Sequence, residues 1–320
     1  MAWELIKEKW ADAIGVVEIG AGPAEGGTRA GTVRVGGETG LPYLKDEGEM
    51  PHHPAIAMEV FDTEPVDWPV SLKQAYGDAL ANPVDWAVKC EKEYRPDLLA
   101  LRLAGTHPDT DNKSAEDAVG LVKDILSAVQ LPLIILGCND EEKDNIVLPK
   151  CAEAAKGQRC LIGDALQKNY KTLVAACMAY GHSIIAESPI DINIAKQLNI
   201  LITEMGLARE RIVINPTVGA LGYGLEYAYS IMERARLSAL GGDKMLAQPF
   251  VCFVGQEAWR AKEAKARAEE FPEWGDEFER GVLWEAITAC SFLQSGADIL
   301  VMRHPEAVNR TRENIKRLLG

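Results

Sequence analysis

From residue 55 onward the chain repeats one rhythm eight times: a short, nearly unbroken apolar run, then a stretch with helical periodicity. The runs fall at 55–61, 98–103, 131–136, 159–162, 183–186, 211–214, 250–254 and 297–302. Most are continuous rather than alternating, as strands become when packing covers both faces. The stretches between them carry helix signals. Asn82-Pro83 supplies a cap and a first-turn proline. Ser114-Ala115-Glu116-Asp117 reads as an acidic capping box, after which Val119, Val122, Ile125, Leu126 and Val129 share one face. Further helices are predicted at about 145–156, 169–180, 191–205, 225–240, 281–295 and 305–319, with Asn169 and Asp191 as caps for two of them. Eight strand–helix units predict one closed (β/α)8 TIM barrel over residues 55–320. An open doubly wound sheet is the weaker alternative, because no glycine-rich phosphate turn follows the first strand of the repeat.

Residues 1–54 do not follow this rhythm and form an N-terminal extension. Strand-like segments at 16–19 and 32–35 flank Gly20-Ala21-Gly22-Pro23-Ala24-Glu25-Gly26-Gly27, which predicts a β-hairpin with a long loop that plugs or extends the barrel bottom. The glycines do not make a phosphate loop: no Lys-Ser or Lys-Thr follows, and the next segment is a strand. A second departure is a rim excursion at about 256–280, rich in charge and carrying Pro272 and Trp274, expected to contain a short surface helix.

Charge and cysteine usage narrow the function. With 34 Lys plus Arg against 48 Asp plus Glu the formal charge is −14, and no arginine cluster or basic–aromatic interleaving occurs, which argues against nucleic acid. No apolar stretch is long enough to span a membrane, and the first residues lack a signal-peptide pattern, so a cytoplasmic location is expected. The seven cysteines are odd in number, widely spaced and without a Cys-x-x-Cys, which points to free thiols and no iron–sulfur cluster on this chain.

In a (β/α)8 barrel chemistry sits at the carboxyl ends of the strands. Those ends carry Asp62, Gly105-Thr106-His107, Gly137-Cys138-Asn139-Asp140, Gly163-Asp164, Glu187-Ser188-Pro189, Asn215-Pro216-Thr217, Gly255-Gln256-Glu257 and Arg303-His304, a ring of acids and amides. No lysine ends a strand, no glycine-rich turn follows the seventh or eighth strand to seat a phosphate, and the five histidines form no metal-ligand pattern. No residue is assigned a catalytic role.

Three segments carry a resemblance. They are Leu133-Ile134-Ile135-Leu136-Gly137-Cys138-Asn139 with Glu142-Lys143-Asp144; Ile185-Ala186-Glu187-Ser188-Pro189-Ile190-Asp191-Ile192-Asn193-Ile194-Ala195-Lys196-Gln197-Leu198-Asn199; and Ile212-Val213-Ile214-Asn215-Pro216-Thr217 with Gly222-Tyr223-Gly224-Leu225-Glu226-Tyr227. With the hairpin they resemble the small subunit of the corrinoid iron–sulfur protein of the reductive acetyl-CoA pathway, whose archaeal counterparts are the delta subunits of the acetyl-CoA decarbonylase/synthase complex. The resemblance implies a barrel paired with a large subunit that holds the iron–sulfur cluster and the cobalt corrinoid. It implies a methyl group received from methyltetrahydrofolate through a separate methyltransferase and delivered to acetyl-CoA synthase/CO dehydrogenase. This chain would then shield and help bind the partner's corrinoid and be non-catalytic. In keeping with that, it lacks an Asp-x-His-x-x-Gly corrinoid motif.

On that reading Asn139, Asn215 and Gln256 face the corrinoid, their amides matching its amide arms, with Asp164 and Glu187 lower or beside them, positioning neighbours or ordered water. The alternative is a self-sufficient barrel methyltransferase that grips the pterin of methyltetrahydrofolate with Asp62, Asn139, Asp164 and Asn215.

Overall fold

Alternation along the strands divides the core in two, and this division places the functional residues. The computed structural model describes residues 7–320. Eight parallel strands form the closed ring: β3 (Ala55–Phe61), β4 (Leu98–Arg102), β5 (Leu133–Leu136), β6 (Leu161–Ala165), β7 (Ser183–Glu187), β8 (Ile212–Asn215), β9 (Phe250–Cys252) and β10 (Ala297–Met302), which pairs back onto β3. Ile56, Met58, Val60, Leu99, Leu101, Ile184, Ile212 and Leu300 pack outward with the helices. Ala55, Ala57, Leu98, Ala100, Ile134, Ile185, Val213, Val251, Ile299 and Val301 form a separate cluster inside the ring. A period of two puts alternate side chains on opposite faces, so both faces are apolar and the runs read as continuous.

The N-terminal hairpin, β1 (Val16–Ile19) paired antiparallel with β2 (Val33–Gly36), is a plug. Its Val17, Ile19 and Val35 are fully buried and join the interior cluster. Small residues at 55, 57 and 100 leave room for them. Backbone bonds fasten the hairpin to the bottom loops: Gly15 N to Ala247 O at 2.6 Å, Gly20 N to Arg159 O at 2.8 Å and Ala30 N to Gln130 O at 2.9 Å. Arg29 then reaches under α3 (Ala115–Ala128) and donates to the carbonyls of Val129 at 2.7 Å and Leu126 at 2.5 Å, satisfying acceptors a helix end leaves open. Gly36, at φ 86°, lies so close to Gly15 that an added Cβ would stand 2.1 Å from its carbonyl oxygen.

The remaining helices are α1 (Val70–Gln74), α2 (Pro83–Lys89), α4 (Glu141–Ala154), α5 (Tyr170–Tyr180), α6 (Ile192–Glu204), α7 (Leu225–Leu240), α8 (Val254–Ala258), α9 (Lys262–Lys265), α10 (Glu277–Gln294) and α11 (Pro305–Leu319). Asn82, Ser114 and Asp191 cap as the sequence predicts. Asn169 does not cap α5; its Oδ1 turns back to accept Leu166 N at 2.7 Å.

Two strand ends and the character of the excursion differ from expectation. The fourth barrel strand is not 159–162 but Leu161–Ala165, because Arg159 takes φ 47° and the ladder shifts register between Ile162 and Ala165. The seventh ends at Cys252, and α8 already begins at Val254. The excursion is less superficial than expected: Val254, Gly255, Ala258 and Trp259 are buried, and Arg280 ties the lobe together by donating to the carbonyls of Glu263, Trp274 and Gly275, and also of Ala266. All seven cysteines are unpaired and six are buried. No helix among the described residues is long and apolar enough to cross a membrane.

Candidate functional site at the barrel mouth

Following the inward-facing positions one step further up six of the strands gives the floor of the mouth, polar except for Phe253. Ala57 is followed by Glu59, Ala100 by Arg102, Ile185 by Glu187, Val213 by Asn215, Val251 by Phe253 and Val301 by Arg303. Glu59, wholly buried, takes Arg102 Nε on one oxygen and Arg303 Nε on the other, each at 2.6 Å. Burial alone would raise its pKa, but the two guanidinium charges outweigh that and hold it below the usual carboxylate range. The Arg102 guanidinium lies over Phe253 at 5.2 Å, and that of Arg303 over Phe61 and Trp68 at 5.2 and 5.3 Å.

Next to this bridge stand the two acids singled out in the sequence. Asp164 accepts a 3.3 Å bond from Asn215 Nδ2, while Asn215 Oδ1 accepts Thr217 N at 3.0 Å. Glu187 faces Asn215 across the β7–β8 register and has a 3.5 Å contact with Thr217 Oγ1, whose proton is better directed at Ser188 O, 2.7 Å away. Burial raises the pKa of both acids. The charge of Glu187 raises Asp164 further, and Arg102 opposes the shift in each. The pair therefore readily retains a proton near neutrality.

Asn139 is placed by a different device. Asp144, on α4, accepts Cys138 N at 2.8 Å and Asn139 N at 3.1 Å, and its carboxylate fills the space where a Cβ on Gly137 would stand, 2.3 Å away. Asn139 adopts φ 71° and is exposed, with no side-chain hydrogen bond among the described residues. Gln256 sits on α8 rather than at a strand end, half-buried, donating to Glu257 at 3.1 Å.

All five predicted residues, Asn139, Asp164, Glu187, Asn215 and Gln256, line one cavity of about 260 Å³ with Arg102 and Phe253. A wider compartment of about 680 Å³ adjoins it between the loop after β3 and the excursion, sharing Arg102, Asn139 and Gln256. Asp62 is not brought into the cavity. Its Oδ1 accepts Gly105 N at 2.7 Å, and Lys113 stands 3.8 Å from its Oδ2. Glu59 and Arg102 sit inside apolar runs, where the sequence alone does not single them out; the inward parity marks them. Among the described residues no group of three or more His, Cys, Asp or Glu is arranged to hold a metal ion.

Comparison with known proteins fixes the family. Residues 17–311 match the model for the CO dehydrogenase/acetyl-CoA synthase delta subunit. The chain belongs to this family. The acetyl-CoA decarbonylase/synthase complex subunit delta of Archaeoglobus fulgidus is 39% identical over 99% of this chain and 71% of its own length. That of Methanocaldococcus jannaschii is 35% identical over 97% and 75%. Among solved structures, the dihydropteroate synthase of Xanthomonas albilineans in complex with 7,8-dihydropteroate superposes with a TM-score of 0.56 at 14% identity, covering 88% of this delta-family chain and 98% of its own. That of Stenotrophomonas maltophilia gives 0.55 at 15%, covering 83% and 92%. At such identities the likeness is one of fold, and it agrees with the closed barrel.

Proposed function

We propose that this chain is the barrel subunit of a two-subunit corrinoid iron–sulfur methyl carrier within an acetyl-CoA decarbonylase/synthase assembly, its mouth turned toward a corrinoid carried by a larger partner. The delta-subunit match over residues 17–311 is the observation that carries this reading. When bound, the corrinoid's cobalt supplies the methyl-carrying chemistry between a methyltetrahydrofolate methyltransferase and acetyl-CoA synthase. The residues present fit such a group. Asn139 offers an exposed amide with no side-chain hydrogen bond among the described residues, and Gln256 stands on the same rim. Both suit neutral amide arms, since neither side surrenders a charge. The cavity of about 260 Å³ is far smaller than a corrin macrocycle, so this chain serves as a surface against the group rather than as its container. Asp164 and Asn215 hold the floor in place through the bonds from Asn215 to Asp164 and from Thr217 N to Asn215, with Glu187 beside them.

Co-purification with the large subunit tests the proposal. A cobalt-bearing species obtained only with the partner is expected. Asn139→Ala and Gln256→Ala are expected to shorten the lifetime of reduced cobalt or slow methyl transfer in the complex, with the barrel folded. Cobalt bound stoichiometrically by this chain alone, or unchanged cofactor affinity, lifetime and transfer in both variants together with Asn215→Ala, would refute it. A second reading, direct binding of methyltetrahydrofolate, draws support from Asn139, Asp164 and Asn215 sharing one cavity. It is weakened by Asp62 being engaged elsewhere. Titration of the isolated chain with methyltetrahydrofolate separates the two.

A further inference from the structure

The two arginines of the mouth are only half used. Each donates to Glu59 through Nε alone. Among the described residues none of their four terminal guanidinium nitrogens has an acceptor, and none is sealed from solvent. Yet Arg102 is only 5% exposed and Arg303 only 7%. Both line the wider compartment of about 680 Å³. A guanidinium taken from bulk water with its fork unpaired is costly unless an acceptor is supplied.

The nearby carboxylates do not fill that role for Arg303. Glu59 is occupied by the two Nε groups. Glu285 accepts Arg303 N at 2.5 Å, His304 N at 3.0 Å and Trp259 Nε1 at 2.7 Å. Asp164 and Glu187 act on Arg102 from the narrower cavity. Of the two acids lining the wider compartment, Glu64 pairs with Lys73 at 3.5 Å, and Asp67 is exposed. The compartment's other charged residues are cationic: Arg260, paired with Glu257 at 3.0 Å, and Lys265, exposed and without an acceptor among the described residues. Arg303 is also held at its root. Its N–H goes to Glu285, its carbonyl accepts the Tyr76 hydroxyl, and its Nε goes to Glu59, so the free fork is fixed before any ligand arrives.

We propose that this wider compartment is an oxyanion site, in which the free ends of Arg303 and Arg102, with Lys265 at the rim, bind a phosphate or carboxylate group of a small-molecule ligand. A planar guanidinium fork matches both geometries through paired N–H donors. The site goes beyond the corrinoid reading and does not depend on it, because the anion is recognised by this chain's own residues.

The test uses the isolated full chain without cobalt, so its outcome and that of the corrinoid reading are separable. Inorganic phosphate and glutarate are titrated separately, with chloride holding ionic strength constant. Melting temperature and the ¹⁵N resonances of the arginine side chains are followed. Saturable binding of at least one anion is expected, with shifts at the Arg303 and Arg102 terminal nitrogens. Preference for phosphate or glutarate tells which group the natural ligand presents. Arg303→Lys keeps a donor for Glu59 but removes the fork, and it is expected to weaken the bound anion by at least ~10-fold. If that variant does not fold, the wild-type resonances decide. Shifts confined to other arginines, affinity unchanged in a folded Arg303→Lys chain, or no saturation by either anion up to on the order of 50 mM overturns the proposal.

Discussion

Replacing Glu59 with glutamine removes one charge and almost no volume, and the structure sets the cost. The wild-type carboxylate accepts two charge-assisted bonds of 2.6 Å at a position with no solvent exposure. Such bonds contribute about 1.5–3 kcal/mol each, and breaking a buried ion pair by removing one partner costs about 3–5 kcal/mol. The glutamine amide can accept from only one arginine and points N–H groups at the other, so about 4 kcal/mol is expected. With an unfolding entropy of about 2.1 cal/mol/K per residue over 320 residues, that is a fall in Tm of about 6 °C. Calorimetry and urea titration of Glu59→Gln measure it directly. A triple replacement, Glu59→Leu with Arg102→Met and Arg303→Met, is expected to recover most of the loss, since apolar isosteres of buried ion networks are often no less stable. A Tm within about 1.5 °C of wild type for Glu59→Gln, equivalent to about 1 kcal/mol, would show that the bridge does not organise the mouth.

Arg29→Met is expected to lower stability by about 3 kcal/mol, because the carbonyls of Leu126 and Val129 lose a charged donor at a helix end that water cannot reach freely; urea unfolding checks it. Burial holds His304 neutral down to about pH 4. Its folded pKa lies below its unfolded value, so its contribution is intact above about pH 6.5 and is lost as pH falls toward 4. His304→Asn, which retains a side-chain acceptor for Glu306 N, should flatten the stability profile in that window. Burial pushes Glu285 up to about 7, so its contribution runs the other way, full below about pH 4.5 and lost as pH rises through 7. Truncation before residue 305 removes α11, whose Val308 and Ile315 are buried in the outer core; an insoluble or non-cooperatively melting product is expected.

The barrel is legible because its strands are covered on both faces: eight largely apolar runs, each followed by a helical stretch, admit few other arrangements. The rim amides were legible because they come directly after those runs, and the structure gathers Asn139, Asp164, Glu187, Asn215 and Gln256 around one cavity. Glu59 and Arg102 were not, since a single charge inside an apolar run gives no sign of which face it takes until the strand parity is fixed. The β6 boundary was misplaced because the ladder changes register within that strand. Asn169 shows the limit of capping rules: the residue type is right, but its side chain finds Leu166 N instead.

The hairpin plug also bears on how the chain must be made. Its two strands leave the ribosome before the groups that anchor it, at Leu126 to Gln130, Arg159 and Ala247, are synthesised. Gly15 waits for a partner more than 200 residues away. Contacts of such separation form slowly, so the apolar side of the ribbon carrying Val17, Ile19 and Val35 stays uncovered until the strands it packs against are made. Full anchoring of the ribbon in the ring therefore waits until Ala247 is made, and a nascent chain stalled before residue 247 lacks that anchor.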